Sequence, residues 1–86
     1  MGLEDWKLSE IKKNVKQIIK EGYVSASRIQ RAFLIGYSKA ARIIDDLTNK
    51  GYIIETEDYK KQFVNDYEEE ISAEIYAIFQ RTIRSK

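Results

Sequence analysis

The sequence predicts a mainly α-helical protein with a small β-hairpin. Apolar residues recur at helical spacing in four stretches, two short stretches are joined by a glycine-containing turn, and two short strands follow them. Two helices joined by such a turn form a helix-turn-helix, and a hairpin directly after it adds a wing. With 86 residues, the chain has room for one modest core. We therefore predict an α+β fold, a winged helix-turn-helix over residues 1–64 with an added C-terminal helix over residues 65–86.

The first helix is predicted over about residues 6–21. Its apolar residues are spaced as on one helix face: Leu8, Ile11, Val15, Ile18 and Ile19. Asp5 or Ser9 is expected to cap its start, and Gly22 suits the left-handed residue that ends a helix. The lysines opposite the apolar face are expected to be solvated.

The helix-turn-helix begins after a short extended connection. Ser25 is the expected cap of the second helix, "ASRIQRAF", in which Ile29 and Phe33 face inward. Gly36 follows in the turn, where its freedom to adopt a left-handed backbone is expected to be used. Arg28 and Arg31 are candidates for DNA phosphate contacts, because the first helix of such a pair crosses the DNA backbone.

The third helix, about residues 37–50, has two chemically different faces. The face predicted to be buried holds Tyr37, Ala40, Ala41, Ile44, Leu47 and Thr48. The face predicted to be exposed holds Ser38, Lys39, Arg42, Asp45, Asp46 and Asn49. Gly51 is expected to end the helix.

Four residues of the exposed face have the chemistry that a DNA major groove requires. Arg42 is a bidentate donor, Asp45 can accept from cytosine, Ser38 offers a hydroxyl and Lys39 suits a phosphate. We therefore predict that these four residues read DNA bases. The alternative is a plain solvated surface, in which Arg42 and the following aspartates form helix pairs worth about 0.2–0.5 kcal/mol.

The predicted wing consists of the strands "YIIE" and "YKKQFV", joined by "TED". Lys60 and Lys61 lie near its tip, where they can touch DNA phosphates without reading sequence. Alternatively, they protect an edge strand from aggregation.

The fourth helix begins after Asn65 or Asp66, one of which is the expected cap, and has acidic residues in its first turn. Its apolar arc is wider than one packing surface requires. We predict that the surplus, Tyr76, Phe79 and Ile83, forms a homodimer interface. The alternative is that the first helix and Trp6 cover the whole arc.

Composition narrows the possible functions. The net charge is +1, but residues 6–54 carry ten basic and four acidic groups, whereas residues 65–86 carry three basic and five acidic groups. The excess of basic groups in residues 6–54 is typical of a surface that binds a polyanion. The alternative is that the surface is unevenly charged and binds none. The chain has no cysteine and no histidine, which excludes zinc sites built on them, disulfides and Cys–His or Ser–His catalysis. We expect a cytoplasmic protein with no catalytic residue, metal, cofactor, small-molecule substrate or membrane partner.

The stretch "VSASRIQRAFLIGYSKAARIIDDLTNKGYI", residues 24–53, resembles the γ domain of the FtsK/SpoIIIE DNA translocases. The family pattern reads V-S-x-S-x-x-Q-R-x-x-x-I-G-Y-N-R-A-A-R-x-I-[DE]. The matching residues are Val24, Ser25, Ser27, Gln30, Arg31, Ile35, Gly36, Tyr37, Ala40, Ala41, Arg42, Ile44 and Asp45. The resemblance covers about residues 8–64. It implies a winged helix that binds double-stranded DNA and recognises short sequences that orient the translocase.

The sequence departs from the family at two of its base-reading positions. The family's arginine and acidic residue fall on Arg42 and Asp45, but its asparagine is replaced by Ser38 and the next arginine by Lys39. Serine discriminates bases poorly, and lysine lacks the planar fork of arginine. DNA binding is therefore expected to be retained better than the family's sequence preference.

The family's motor domain has no counterpart here. No G-x-x-x-x-G-K-[ST] phosphate loop occurs in these residues, so we expect no ATP hydrolysis from them. The fourth helix is an addition to the family domain. These features suggest a stand-alone regulatory DNA-binding protein, or a piece of a longer one. The rival hypothesis is a protein–protein adaptor, since the family's γ domain also contacts a tyrosine recombinase.

Overall fold

A computed structural model describes the backbone of residues 6–84 and the side chains of residues 6–81. Its elements are α1 (Leu8–Glu21), α2 (Ala26–Phe33), α3 (Tyr37–Asn49), β1 (Ile53–Glu55), β2 (Lys61–Phe63) and α4 (Glu68–Arg84). A short 3-10 turn, Asn65–Tyr67, joins β2 to α4. The strands form an antiparallel hairpin after the helix-turn-helix. The predicted α+β winged helix-turn-helix with an added C-terminal helix is confirmed.

The ends of α1 are fixed by backbone hydrogen bonds, and its start differs from the prediction. The N–H of Lys7, just before the helix, donates to the Glu10 carboxylate at 3.1 Å. Ser9 lies inside the helix, so the prediction that it caps the start is wrong, and Asp5 lies outside the described residues. Gly22 has a left-handed φ of 93°, as predicted for the residue that ends the helix.

The turn of the helix-turn-helix uses a different residue from the one predicted. The Ser25 hydroxyl accepts from the Arg28 backbone N–H at 3.2 Å, which confirms the predicted cap of α2. After α2, Leu34 adopts the left-handed conformation, with φ of 56°. Gly36 has an ordinary φ of −77°, so the prediction that its conformational freedom shapes the turn is wrong.

The buried face of α3 is rotated from the predicted one. Ala40, Ile44 and Leu47 are buried as predicted, and Ile43 joins them with no exposed surface. Tyr37, predicted to be buried, is 66% exposed. It is the first residue of the helix.

The wing is shorter than the two predicted strands. Ile53 pairs with Phe63, and Glu55 pairs with Lys61 at the last rung of the ladder. Val24, which precedes α2, forms an additional antiparallel bridge, its N–H donating to the Lys61 carbonyl at 2.8 Å. This bridge ties the outer rung of the wing to the segment that precedes α2.

The helix α4 belongs to the same hydrophobic core as the winged helix. This core is a single cluster with contributions from all four helices and both strands. Its α4 members are Ile71, Ile75, Ile78 and Phe79. Neither Asn65 nor Asp66 caps α4, because both lie inside the 3-10 turn that precedes it. The acidic first turn of α4 faces α1, where Lys12 pairs with Glu69 at 3.8 Å and Lys16 with Glu68 at 3.9 Å.

The burial of Phe79 corrects the prediction for the dimer interface. Phe79 has no exposed surface, and its ring meets that of Phe33 edge-on at a centroid distance of 5.7 Å. Trp6 packs edge-on against the same Phe33 ring at 5.6 Å. Phe79 is therefore a core residue with no surface left for a second copy. Tyr76 is half-buried against the core, and the side chain of Ile83 lies outside the described part.

Candidate nucleic-acid interface

The four predicted base-reading residues lie in the first three turns of α3, and three of them are exposed. Ser38, Arg42 and Asp45 are spaced by four and three residues, which aligns them along one side of the helix. The buried residues of α3 hold the opposite side against the core. We name these three residues the α3 stripe. Lys39 is half-buried beside it.

The pKa of the Lys39 ammonium is perturbed. Partial burial, and secondly the positive charge of Arg42, lower the pKa of Lys39 below its usual value of 10.5. Burial is the larger of the two causes, and the effect of Arg42 shows that the two cations lie close to one another.

Arg28, predicted to contact phosphate, is engaged within the protein. Its guanidinium forms an ion pair with the Glu21 carboxylate at the end of α1. It also lies 4.1 Å above the centre of the Tyr23 ring. Its charge is thus neutralised by an acid seven residues earlier, and a phosphate contact would require this ion pair to open.

Arg31 differs from Arg28 in its surroundings. It is exposed in the last turn of α2. No ion pair forms on it among residues 6–81. Of the two arginines on α2, Arg31 is therefore the one available to an external phosphate.

Lys60 and Lys61 are both exposed on the wing, as their predicted role requires. The ammonium of Lys60 lies 5.7 Å from the centre of the Tyr23 ring. Within the part of the chain that the structure describes, no carboxylate pairs with either lysine. The two charges remain available to an anion.

A groove of about 480 Å³ separates the wing from α3. We name it the wing groove. Its lining residues come from the start of α2, from α3 and from the wing: Tyr23, Val24, Ser25, Ala26, Tyr37, Ala41, Ile44, Asp45, Tyr59, Lys60 and Lys61. The groove thus adjoins the α3 stripe through Asp45 and contains both wing lysines.

The sequence-based prediction missed the tyrosines of the wing groove. Tyr37 was assigned to the buried face, and Tyr23 and Tyr59 were given no functional role. Tyr23 is 38% exposed, Tyr37 66% and Tyr59 86%. Each lies just outside a predicted element or at its first residue, and that position is the only local signal of their exposure.

The described residues offer no arrangement typical of metal binding or membrane insertion. No group of three acidic side chains among them is placed to hold a metal ion. No helix in the described part is long and apolar enough to cross a lipid bilayer. The acidic first turn of α4, the densest run of carboxylates, is engaged with lysines of α1.

The family model described as the Ftsk gamma domain matches residues 8–64, from the start of α1 to the end of the wing. The chain belongs to the FtsK γ domain family. The predicted resemblance is thereby confirmed, and the DNA-binding winged-helix character of that family agrees with the observed fold.

Two relatives show the extent of the similarity. The DNA translocase FtsK of Clostridium acetobutylicum is 50% identical over 52 residues, which is 60% of this chain and 6% of that protein. The DNA translocase FtsK of Caldanaerobacter subterraneus subsp. tengcongensis is 51% identical over 39 residues, 45% of this chain and 6% of that protein. This chain thus matches only a small part of each translocase. No solved structure shows significant similarity to it.

Proposed function

We propose that this FtsK γ domain binds double-stranded DNA and reads sequence in the major groove through α3, in a regulatory role. The exposed α3 stripe carries the proposal, because its donors and acceptors protrude from a helix whose opposite face is fixed in the core. Arg42 would donate to guanine, Asp45 would accept from cytosine, and Ser38 would add a less selective hydroxyl. Phosphates, or bases beside those that the α3 stripe reads, would be contacted by the remaining basic residues Lys39, Arg31, Lys60 and Lys61.

The proposal is tested by selection from a random duplex library, followed by sequencing of the retained DNA. A domain that reads sequence enriches a short motif, and fluorescence anisotropy then compares the enriched duplex with a scrambled one. Lys13→Ala is the matched control for charge-removing variants of the interface, because Lys13 is an exposed cation on α1 outside the proposed interface. Enrichment of no motif, with equal affinity for both duplexes, would reduce the function to nonspecific DNA binding.

Salt dependence distinguishes DNA binding from the rival adaptor function. Affinity that rests on several phosphate contacts falls steeply as salt concentration rises, because bound counterions are released. A protein partner held by an apolar surface responds weakly. Absence of duplex binding at low salt would favour the adaptor.

A further inference from the structure

The wing groove has an unusual combination of exposed aromatic and cationic side chains. Tyr37 enters it from the first residue of α3, and Tyr59 enters it from the hairpin loop, where its φ of 62° is left-handed. Their rings are 66% and 86% exposed. Neither ring stacks on another ring within the described part of the chain. The two rings and hydroxyls are thus presented to an external molecule.

The charges around the groove are unevenly distributed. Lys60 and Lys61 line the wing side, and Asp45 lines the α3 side. Arg28, which lies 4.1 Å from the centre of the Tyr23 ring, is neutralised by Glu21 and adds little attraction. An anionic ligand would therefore bind nearer the wing, leaving Asp45 to face a hydrogen-bond donor.

The groove floor is apolar or small, formed by Val24, Ala41 and Ile44. A ligand that fits must combine apolar surface for this floor and the tyrosine rings with negative charge for the lysines. The sugar–phosphate backbone of DNA has both, since deoxyribose faces alternate with phosphates along a convex ridge. Tyrosine hydroxyls and lysine ammoniums are common donors to phosphate oxygens.

We propose that the wing groove holds the sugar–phosphate backbone of one DNA strand, with Tyr37 and Tyr59 packed on either side of it. This inference rests on the proposed function, because the strand would be the one flanking the bases that α3 reads. Tyr23 also lines the groove, with the Arg28 guanidinium 4.1 Å and the Lys60 ammonium 5.7 Å from the centre of its ring.

The test measures duplex affinity by fluorescence anisotropy at several salt concentrations for the intact chain and its variants. Tyr37→Ala and Tyr59→Ala should each weaken binding about 3- to 10-fold, the range of a lost hydrogen bond. The loss should be equal for the enriched and the scrambled duplex, since a backbone contact carries no sequence information. The salt slope should stay unchanged, because no charge is removed. Lys60→Gln and Lys61→Gln should instead each lower the slope by about one.

Matched variants separate the contribution of the ring from that of the hydroxyl. Tyr37→Phe and Tyr59→Phe keep the ring and remove the hydroxyl. Affinity kept by Phe but lost by Ala supports packing against deoxyribose, and affinity lost by both supports a hydrogen bond to phosphate. Tyr67→Ala is the control, because Tyr67 is 42% exposed and lies outside the groove. Thermal unfolding of every variant identifies losses caused by misfolding.

The affinities of these variants distinguish a failure of the groove proposal from a failure of the proposed function. If both tyrosine-to-alanine variants bind duplex as the intact chain does, while Arg42→Ala still weakens binding, the groove proposal is overturned and base reading by α3 stands. If the variants lose affinity for a single-stranded oligonucleotide and not for duplex, the groove holds unpaired bases and the proposal is also overturned. If the intact chain binds no duplex, the proposed function itself fails.

Discussion

Arg42 is the residue on which sequence reading is expected to depend most. It lies between Ser38 and Asp45 on the α3 stripe, is exposed, and is the one stripe residue that can donate two hydrogen bonds to a single base. Arg42→Ala should weaken binding to the enriched duplex by about 1–3 kcal/mol and relax preference at a guanine position. Anisotropy with the enriched and scrambled duplexes measures this. Equal losses on both would mean that Arg42 contacts phosphate only.

The two arginines of α2 should behave differently from one another. Arg31→Ala should weaken enriched and scrambled duplexes alike and lower the salt slope by about one, because one phosphate contact is lost. Arg28→Ala should leave the slope unchanged, since Glu21 already neutralises Arg28. The measurement is duplex affinity at several salt concentrations, and each variant is the control for the other. A lower slope for Arg28→Ala would show that DNA displaces Glu21 from the ion pair.

At the scale of elements, α3 and α4 meet at a carboxyl pair. Burial, and then hydrogen bonding to Asp46, raise the pKa of Glu74 above its usual value of 4.5, against the opposing effects of Lys50 and Arg81. Glu74 also lies 3.7 Å from the Lys50 ammonium and 3.9 Å from the Arg81 guanidinium. The buried Oδ2 of Asp46 accepts no hydrogen bond from the described residues, and a protonated Glu74 would supply the donor.

This junction should make stability depend on pH. Between pH 4.5 and the raised pKa of Glu74, the folded chain holds a proton that the unfolded chain has released. The free energy of unfolding therefore falls as pH rises through this window. Glu74→Gln removes the effect, so its stability relative to the intact chain should rise with pH across the same window. Urea unfolding at a series of pH values measures the difference, with Glu70→Gln as the control outside the cluster. A constant difference would show that the proton is not held.

At the scale of the whole molecule, α4 is expected to be required for folding. Phe79 is fully buried and joins α4 to α2 through the Phe33 ring. Phe79→Ala should lower the free energy of unfolding by about 3–5 kcal/mol, the usual cost of removing a buried Phe side chain. Glu70→Ala, at an exposed position of the same helix, should cost less than about 1 kcal/mol. Chemical unfolding compares them. Similar small losses in both variants would mean that α4 adds little to the core.

The homodimer remains a prediction, with fewer candidate interface residues than the sequence suggested. Phe79 no longer contributes to it, which leaves Tyr76, itself half-buried, and Ile83. Sedimentation equilibrium at micromolar concentration tests it directly. A dimer would give twice the 10.1 kDa mass of one chain, and a mass of 10.1 kDa would return Tyr76 to the protein's own core.

The candidate site was predictable as far as it depends on one helix. Ser38, Arg42 and Asp45 follow the period of α3, so their common exposed side follows from spacing alone. Lys60 and Lys61 were placed on the wing for the same local reason. The engagement of Arg28 was not predictable, because Glu21 lies on another helix and meets it only after the chain turns at Gly22. The wing groove was missed for the same reason, since its three tyrosines come from separate elements.

By itself the sequence determined the order of the helices, the wing, the Ser25 cap and membership of the FtsK γ family, because each depends on residues close together in the chain. Only the tertiary structure decided what covers each apolar face. Periodicity shows that α4 has a wide apolar arc, and the arc looks the same whether a second copy or the chain itself buries it. The structure places α1 and α3 against α4 and puts Phe79 on Phe33, because a small domain gains most by burying its large aromatic residues within one core.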